Sequence, residues 1–567
     1  MKTVIRNHGR YLLFIILASF VLILPQLLTK GMILGSDAVF HYNRFYDTAM
    51  QIKEFNFQHF VSMYGFQQTG RIVNALYGPL FAYIQGILIL LSPSWFGYQV
   101  LSCFLIYFLS GISMYTFLQK GQIRHSLSCA GAIFYLTTFS IQYWTMRQGF
   151  SSWGAALLPL CLLPIIDMAT KKDFNWLQLS ILTSLMFQTH VFSSLILILI
   201  YIPFFLYAWL YSDRKSKLVL QLAQAIGLFL LLTLAIWISF YFVYSGNTIA
   251  DPFINLHMDR SVITRNSIYW VFTPGFLGVL LITQLIFTPL LWKKMSTLNR
   301  LMTGSMIFFL ILSTNIVPWK HLQGKDIYIV ELIQFPFRFF VPVTVLLIFL
   351  SCYTYQHYVH QSTTKKLLVT LLLVASVGQT MMTTYHILQN WVDEKQMIMT
   401  GKKHLFVRTN DNQKLKAAVH TRDFSEFLQL VEKSTPDYLP IYQDNPLNKY
   451  NQYEKYVLNN PHKFKKTVKN HRLVVEWESN TTDMLDVPVI NYERTELTLN
   501  GKALQKDDLR LTKIGTIQVQ SKIGHNELVL TYNGSRQVLY PIIFSLISWI
   551  IALTFLIKQT YKKTKSA

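Results

Sequence analysis

Charge is scarce in this sequence of 567 residues, and acid is scarcer than base: 14% of residues are charged, 28 of them acidic against 51 basic. With 52% hydrophobic and 15% aromatic residues beside that shortage, an ordinary soluble protein is excluded and a polytopic membrane protein is expected. Cysteine is nearly absent. Cys103, Cys129, Cys161 and Cys352 lie in or beside apolar runs and none lies in the long polar region, which excludes a disulfide framework or a CxxC metal site and leaves packing as their role. The chain also has no GxxxxGKS/T phosphate loop, GxGxxG fingerprint, HExxH or GxSxG, so a nucleotide-driven or serine-hydrolase mechanism has no support. No A-x-A cleavage site follows the first apolar run, Tyr11 to Leu28. Preceded by Lys2, Arg6 and Arg10, that run reads as an uncleaved anchor with its N-terminus inside.

What is present is a series of apolar runs. After the first come Leu76 to Leu91, Tyr98 to Leu118, Leu127 to Trp144, Trp153 to Met168, Leu218 to Tyr244, Trp270 to Trp292, Leu301 to Val317, Pro336 to Tyr358, Leu367 to Leu388 and finally Tyr540 to Ile557. A tract from Trp176 to Tyr211 is too long for one span and is interrupted by Gln188, Thr189 and His190, so it is expected to be two short helices meeting near His190. The net charge of +23 sits largely in the short loops between runs, where it orients a protein against a membrane and does not point to nucleic acid. Those loops fall on one side if Leu76 to Leu91 is re-entrant or interfacial, giving twelve spans with both termini inside; if it crosses, the count is thirteen.

On that topology the outer face receives a first loop (30–75) after the anchor (1–29), the turns of the multi-span part (76–389), and a polar region (390–537) ahead of the last span and basic tail (538–567). The polar region is expected to fold by itself as a β-sandwich. A helix-like stretch from Arg422 to Lys433 leads into TPDYLP, then alternating runs at Arg472 to Trp477, Val489 to Leu499, Thr516 to Gln520 and Glu527 to Tyr532, with Asn500-Gly501 as a two-residue hairpin turn.

The first loop carries the strongest candidate site. In GSDAVFHYNRFYD the residues Asp37, His41 and Arg44 fall at i, i+4 and i+7, so a helix would put an acid, an imidazole and a guanidinium on one face. The competing reading is a solvated loop helix. Asp47, in the same loop, is expected to matter less. In ELIQFPFRFF, Glu331, Gln334 and Arg338 border the start of a span, and Arg338 either snorkels to the interface or holds a lipid-linked phosphate in a bidentate fork. His190 is a lone imidazole in an apolar tract, where a structural hydrogen bond competes with substrate contact.

These stretches together, GSDxxxH with NRFYD, YGPLFAY (Tyr77 to Tyr83), MRQGFSSWGAALLPLCLLP (Met146 to Pro164), FQTH, QFPFR and DYLP, resemble the bacterial membrane proteins called 6-pyruvoyl-tetrahydropterin synthase-related. Those are similar to YfhO-type proteins and to the GT-C superfamily of glycosyltransferases. The resemblance implies a multi-span helical fold with an extracellular, mainly β C-terminal domain, and transfer of a sugar from a polyprenyl-phosphate donor to a cell-envelope glycan acceptor at the cell membrane. It implies an acid in the first outer loop as base or metal contact, which Asp37 matches, with His41 beside it. Arg338, Arg265 and Arg147 would then hold the donor phosphate, and Arg44, His190, Glu331 and Gln334 would meet substrate. The single Asp, without DxD or DE, leaves a divalent cation open. No cluster of histidines fits the zinc site a pterin synthase needs, so a pterin is excluded, as is a nucleotide. Two further readings remain: a transporter or flippase of lipid-linked glycan, and a non-enzymatic envelope glycan-binding protein.

Overall fold

Apolar runs of this length have few side chains able to satisfy their own backbone, so the backbone satisfies itself in helices. The computed structural model describes residues 2–566 except 36, 251–252, 326, 361, 394–395, 403, 443–447, 506 and 508. The first helices are α1 (Lys2–Thr29), α2 (Ala38–Lys53), α3 (Pro79–Leu90), α4 (Trp95–Lys120), α5 (His125–Thr137), α6 (Phe139–Arg147), α7 (Ser151–Cys161), α8 (Leu163–Lys171), α9 (Trp176–Thr189), α10 (Val191–Tyr211), α11 (Lys215–Leu232) and α12 (Leu234–Tyr244). The main later ones are Phe276–Leu291, Thr297–Leu312, Phe340–Tyr358, Thr363–Ile387 and the last, Ser535–Ser566. Among the described residues nine helical segments are long and apolar enough to cross a membrane.

Contacts between turns sort the bundle into two ends. At one, Lys120 and Lys171 each lie 2.8 Å from Asp167, Lys217 lies 2.5 Å from Asp173, Arg124 N donates to Gln356 Oε1, and Asn175 Nδ2 donates to Gln559 Oε1. At the other, the backbone of Gly35 meets that of Arg147, Gly78 meets the carbonyl of Gln188, and Phe96 N donates to Val419 O. Helix α3 starts from Gly78 and is followed by Trp95, whose indole donates to Phe424 O, so Leu76 to Leu91 begins and ends at the same end of the bundle. It lies on α2, with Thr48 Oγ1 donating to Ala82 O.

Several runs read as unbroken are interrupted. Leu127 to Trp144 breaks at Thr138, which is extended and lets Phe139 N bond Thr273 O. Trp153 to Met168 breaks at Leu162 between Pro159 and Pro164, as proline removes a ladder donor. Leu218 to Tyr244 breaks at Thr233, whose hydroxyl bonds back to Phe229 O. Trp270 to Trp292 starts as one helical turn, Tyr269–Phe272, and resumes at Phe276 after Pro274. The tract from Trp176 does split at His190, into α9 and α10.

In the polar region β1 (Leu405–Val407) pairs antiparallel with β2 (Val431–Lys433). The stretch from Arg422 to Lys433 is therefore helical only over Phe424–Leu430, started by the Asp423 cap and ended where the chain turns into β2. The strands β3 (Lys465–Lys469), β4 (Arg472–Ser479), β5 (Met484–Ile490), β6 (Thr495–Leu499), β7 (Lys502–Ala503), β8 (Arg510–Leu511), β9 (Thr516–Gln520) and β10 (Gly524–Tyr532) form two sheets, ordered β3-β4-β10-β6-β7 and β5-β9-β8. Val489 to Leu499 is not one strand: its two parts, β5 and β6, belong to different sheets. Asn500 (φ 50°) and Gly501 (φ 80°) make the expected tight turn, with Leu499 opposite Lys502.

The two sheets bury Leu473, Val475, Leu528 and Leu530 against Val487 and Ile517, and Phe60, Val61 and Ile72 of the first loop, with Leu76 just after it, join the same core. Leu415, Phe427 and Val431 instead pack into the core of the helix bundle. Residues 390–537 are thus shared between two cores. All four cysteines are free and buried.

Candidate functional site

The site forms where the first loop, α2, the α6–α7 turn, the His190 turn and the start of the helix at Phe340 meet. Two glycines permit the approach. A Cβ on Gly35 would stand 1.9 Å from Arg147 O, and one on Gly78, which has φ +75°, would stand 2.2 Å from Gln188 O. Ser36 lies outside the described residues. Asp37 occupies the cap position of α2 without making a cap bond; its side chain is 46% exposed, with Lys433 Nζ at 3.4 Å.

Helix α2 is not a solvated loop helix, for most of its length is buried. Arg44 is fully buried and has no carboxylate partner among the described residues. It donates to Asn74 Oδ1 (3.1 Å) and Tyr77 O (2.6 Å), lies over the Tyr77 ring at 4.2 Å, and reaches His41 Nδ1 at 3.4 Å. Burial lowers its pKa to about 10, still charged at neutral pH. A guanidinium can only donate, so His41 Nδ1 is the acceptor and its ring proton sits on Nε2. Burial, then Arg44, Lys433 and His190, hold His41 well below the usual imidazole range and so neutral. Its ring stacks on Phe150 at 4.4 Å.

His190 caps α10, with Nδ1 accepting from Ser193 N at 3.2 Å, and burial with Arg338 and Arg44 nearby lowers it to about 3. Arg338 is partly buried. It donates to Gln334 Oε1 (3.2 Å) and Ile333 O (3.4 Å) and lies over the Phe335 and Phe192 rings at 5.0 and 5.3 Å. Gln334 in turn donates to Phe253 O and accepts from Asn255 through its carbonyl, which fixes the loop beside it. His190 and Arg338 line one cavity whose walls are otherwise mostly apolar, among them Leu158, Phe192, Ile196 and Val341.

The structure brings Asp37, His41, Arg44, His190, Gln334 and Arg338 into one neighbourhood. Arg147 stands at its rim, exposed, over the Tyr269 ring at 5.0 Å. Arg265 is exposed and Glu331 partly buried, and among the described residues no hydrogen bond or ion pair joins either side chain to the cluster. Sequence reasoning passed over Lys433 and over the work of TPDYLP. Arg71, fully buried, donates to Thr435 Oγ1 (3.1 Å) and to the Asp437 carbonyl, and Tyr492 OH donates to Tyr438 O (3.0 Å), so this segment is pinned over the site. Burial raises the Tyr77 phenol while Arg44 and Arg338 pull it down, with Asp37 and Asp437 also close enough to act on it. The DYLP motif and Arg71 in the first loop were the available signals.

Asp47 is no bystander. It is 1% exposed, its Oδ1 accepting from Tyr64 N (2.9 Å) and Gly65 N (3.2 Å) and its Oδ2 from Gln51 Nε2 (2.8 Å), so it anchors the first loop to α2. Burial pushes its pKa up to about 6, against 3.8 ordinarily, although those donors pull the other way. The folded chain therefore binds this proton more tightly than the unfolded chain, and stability falls as pH rises from about 4 to 6, by on the order of 3 kcal/mol. Asp47→Asn is expected to flatten the melting temperature across that range in detergent; the same slope in the variant would assign the titration to another group.

Among the described residues no group of three or more His, Cys, Asp or Glu side chains is arranged to hold a metal ion. Comparison with family models, curated proteins and solved structures gives no match to this chain.

Proposed function

We propose that this chain is an integral-membrane glycosyltransferase, similar to the GT-C superfamily, that moves a sugar from a polyprenyl-phosphate donor to a cell-envelope acceptor on the outer face of the cell membrane. The observation that carries the reading is the gathering of a half-exposed carboxylate, Asp37, with Arg338, Lys433 and two neutral imidazoles at one end of an apolar helix bundle, beside a mostly apolar cavity. In this reading the acceptor hydroxyl gives its proton to Asp37 as its oxygen bonds the anomeric carbon. The bond from that carbon to the phosphate breaks with its electron pair leaving on the polyprenyl phosphate, whose charge meets Arg338 and Lys433, with Arg147 at the rim. Arg44, committed to Asn74 and Tyr77, is a positioning residue, as is Gln334 for Arg338. Arg265 and Glu331 have no part in the step.

The test is transfer itself. Proteoliposomes holding the protein, given a radiolabelled polyprenyl-phosphate sugar and envelope extract, are expected to label the envelope polymer, and a deletion strain is expected to lose that decoration. Vesicles that moved the intact lipid-linked sugar across the bilayer without cleaving it would make the protein a transporter.

The topology is tested separately. With the four buried cysteines replaced, Ser216→Cys is expected to be shielded from an impermeant thiol reagent in intact cells and Asn480→Cys to react. Reaction at position 216 would reverse the orientation.

A further inference from the structure

The end of α10 remote from His190 carries a second constellation that the transfer reaction does not use. At about 1.5 Å per residue, its 21 residues put the two roughly 30 Å apart. There the α8–α9 and α10–α11 turns enclose a cavity of about 190 Å³ whose charged lining is Lys171, Lys172, Arg214 and Lys217 with Asp173 and Asp213.

Pairing accounts for part of this charge. Lys217 is held by Asp173, and Lys171 by Asp167, which also holds Lys120. No salt bridge among the described residues reaches Lys172 or Arg214, both exposed, and the lining cations outnumber the lining acids by two. The volume equals that of roughly six waters, which is room for a phosphate and its first ester carbons.

The surroundings favour a lipid over a soluble anion. The outward faces of α10 and α11 leading to the cavity are apolar and exposed, Leu206 by 47%, Leu210 by 57% and Leu220 by 60%. Trp209 and Tyr211 stand at the same level, where aromatic residues mark a membrane surface, and Lys215 lies 5.6 Å over the Trp209 ring. The last helix passes beside the site at the Asn175–Gln559 bond, with Lys558 one residue before it.

We infer that this cavity binds the phosphate of an anionic phospholipid headgroup, with the acyl chains along the exposed faces of α10 and α11. The inference rests on the membrane part of the proposed function and not on the transfer chemistry. A basic residue near anionic lipid is worth roughly fivefold in affinity, so losing Lys172 and Arg214 is expected to cost roughly 30-fold.

The experiment is native mass spectrometry of the full chain in detergent with dioleoyl phosphatidylglycerol, dioleoyl phosphatidylcholine or inorganic phosphate. Phosphatidylglycerol is expected to bind in preference to phosphatidylcholine and to resist displacement by inorganic phosphate. The double variant Lys172→Asn with Arg214→Gln is expected to lose that binding while eluting as wild type on gel filtration. Asparagine is chosen because Lys172 sits at φ +52°. Each single variant, on an exposed turn, is expected to lose part of it, which keeps the test valid if the double variant misfolds. Lys320→Gln, in the short helix Trp319–Gln323 at the other end, is expected to leave binding unchanged. Equal binding of phosphatidylcholine, wild-type binding by the variants, or displacement by inorganic phosphate at equal concentration would each overturn the inference. No readout depends on transfer, so its failure and a failure of the transferase reading are separately visible.

Discussion

Asp37→Asn is expected to lower sugar transfer by roughly 10²-fold or more while leaving the melting temperature close to wild type. The two halves of that expectation come from different facts. Asparagine keeps the size and one acceptor oxygen but cannot take a proton from an attacking hydroxyl. The carboxylate it replaces is 46% exposed, makes no cap bond and among the described residues has one ion pair, to Lys433 at 3.4 Å, so folding depends on it little. Arg338→Lys is the companion. A lysine keeps the charge and can reach the interface, but it cannot present a fork while lying over Phe335 and Phe192. The apparent KM for donor is expected to rise roughly tenfold, the worth of one lost charged hydrogen bond, with kcat changed less. Transfer assays at matched expression decide both. Full activity of Asp37→Asn would remove its role as base, and full activity of both variants would leave transport as the better reading.

Gly35→Ala is expected to cost about as much as removing the carboxylate, roughly 10²-fold, although it adds one methyl and touches no reacting atom. The new carbon would stand 1.9 Å from Arg147 O and 2.2 Å from Arg147 C, closer than atoms can pack, and the obstacle is backbone, which cannot rotate away. The loop bearing Asp37 must therefore move, and a displacement near 1 Å at a reacting group is enough for that loss. Gly227→Ala is the control, with nothing within 4 Å of its added carbon. Wild-type transfer by Gly35→Ala would mean that the position of Asp37 is not critical. A fall in melting temperature as large as the fall in activity would assign the effect to folding.

The spacing of Asp37, His41 and Arg44 was readable because a helix converts sequence intervals of four and three into one face. The break at His190 was readable because polar residues interrupted an apolar tract, and the Asn500-Gly501 turn because few other pairs accept two positive φ values. Thr138 and Thr233 were not readable as breaks. A lone threonine in an apolar run interrupts a helix only where something else receives the backbone, as Thr273 does for Phe139. Asp47 looked equivalent to any loop acid, since its burial is decided by how residues 60–76 fold back over α2. Lys433 was hidden for the same reason: nothing local ties the end of a short strand to the first loop.

That strand has a consequence for the order of events in the cell. Asp37 and Lys433 are 396 residues apart in the chain, so at roughly 5–20 residues per second a ribosome needs about 20–80 s to make the second after the first. By the end of that interval the growing chain carries α2 and nearly all the apolar helices, yet until then its half-site has no cover from the segment that Arg71 later clasps. On the proposed reading, chains that stall or are cut before residue 433 would lack the site's second cation, and activity is expected only once synthesis has entered the final quarter of the polypeptide.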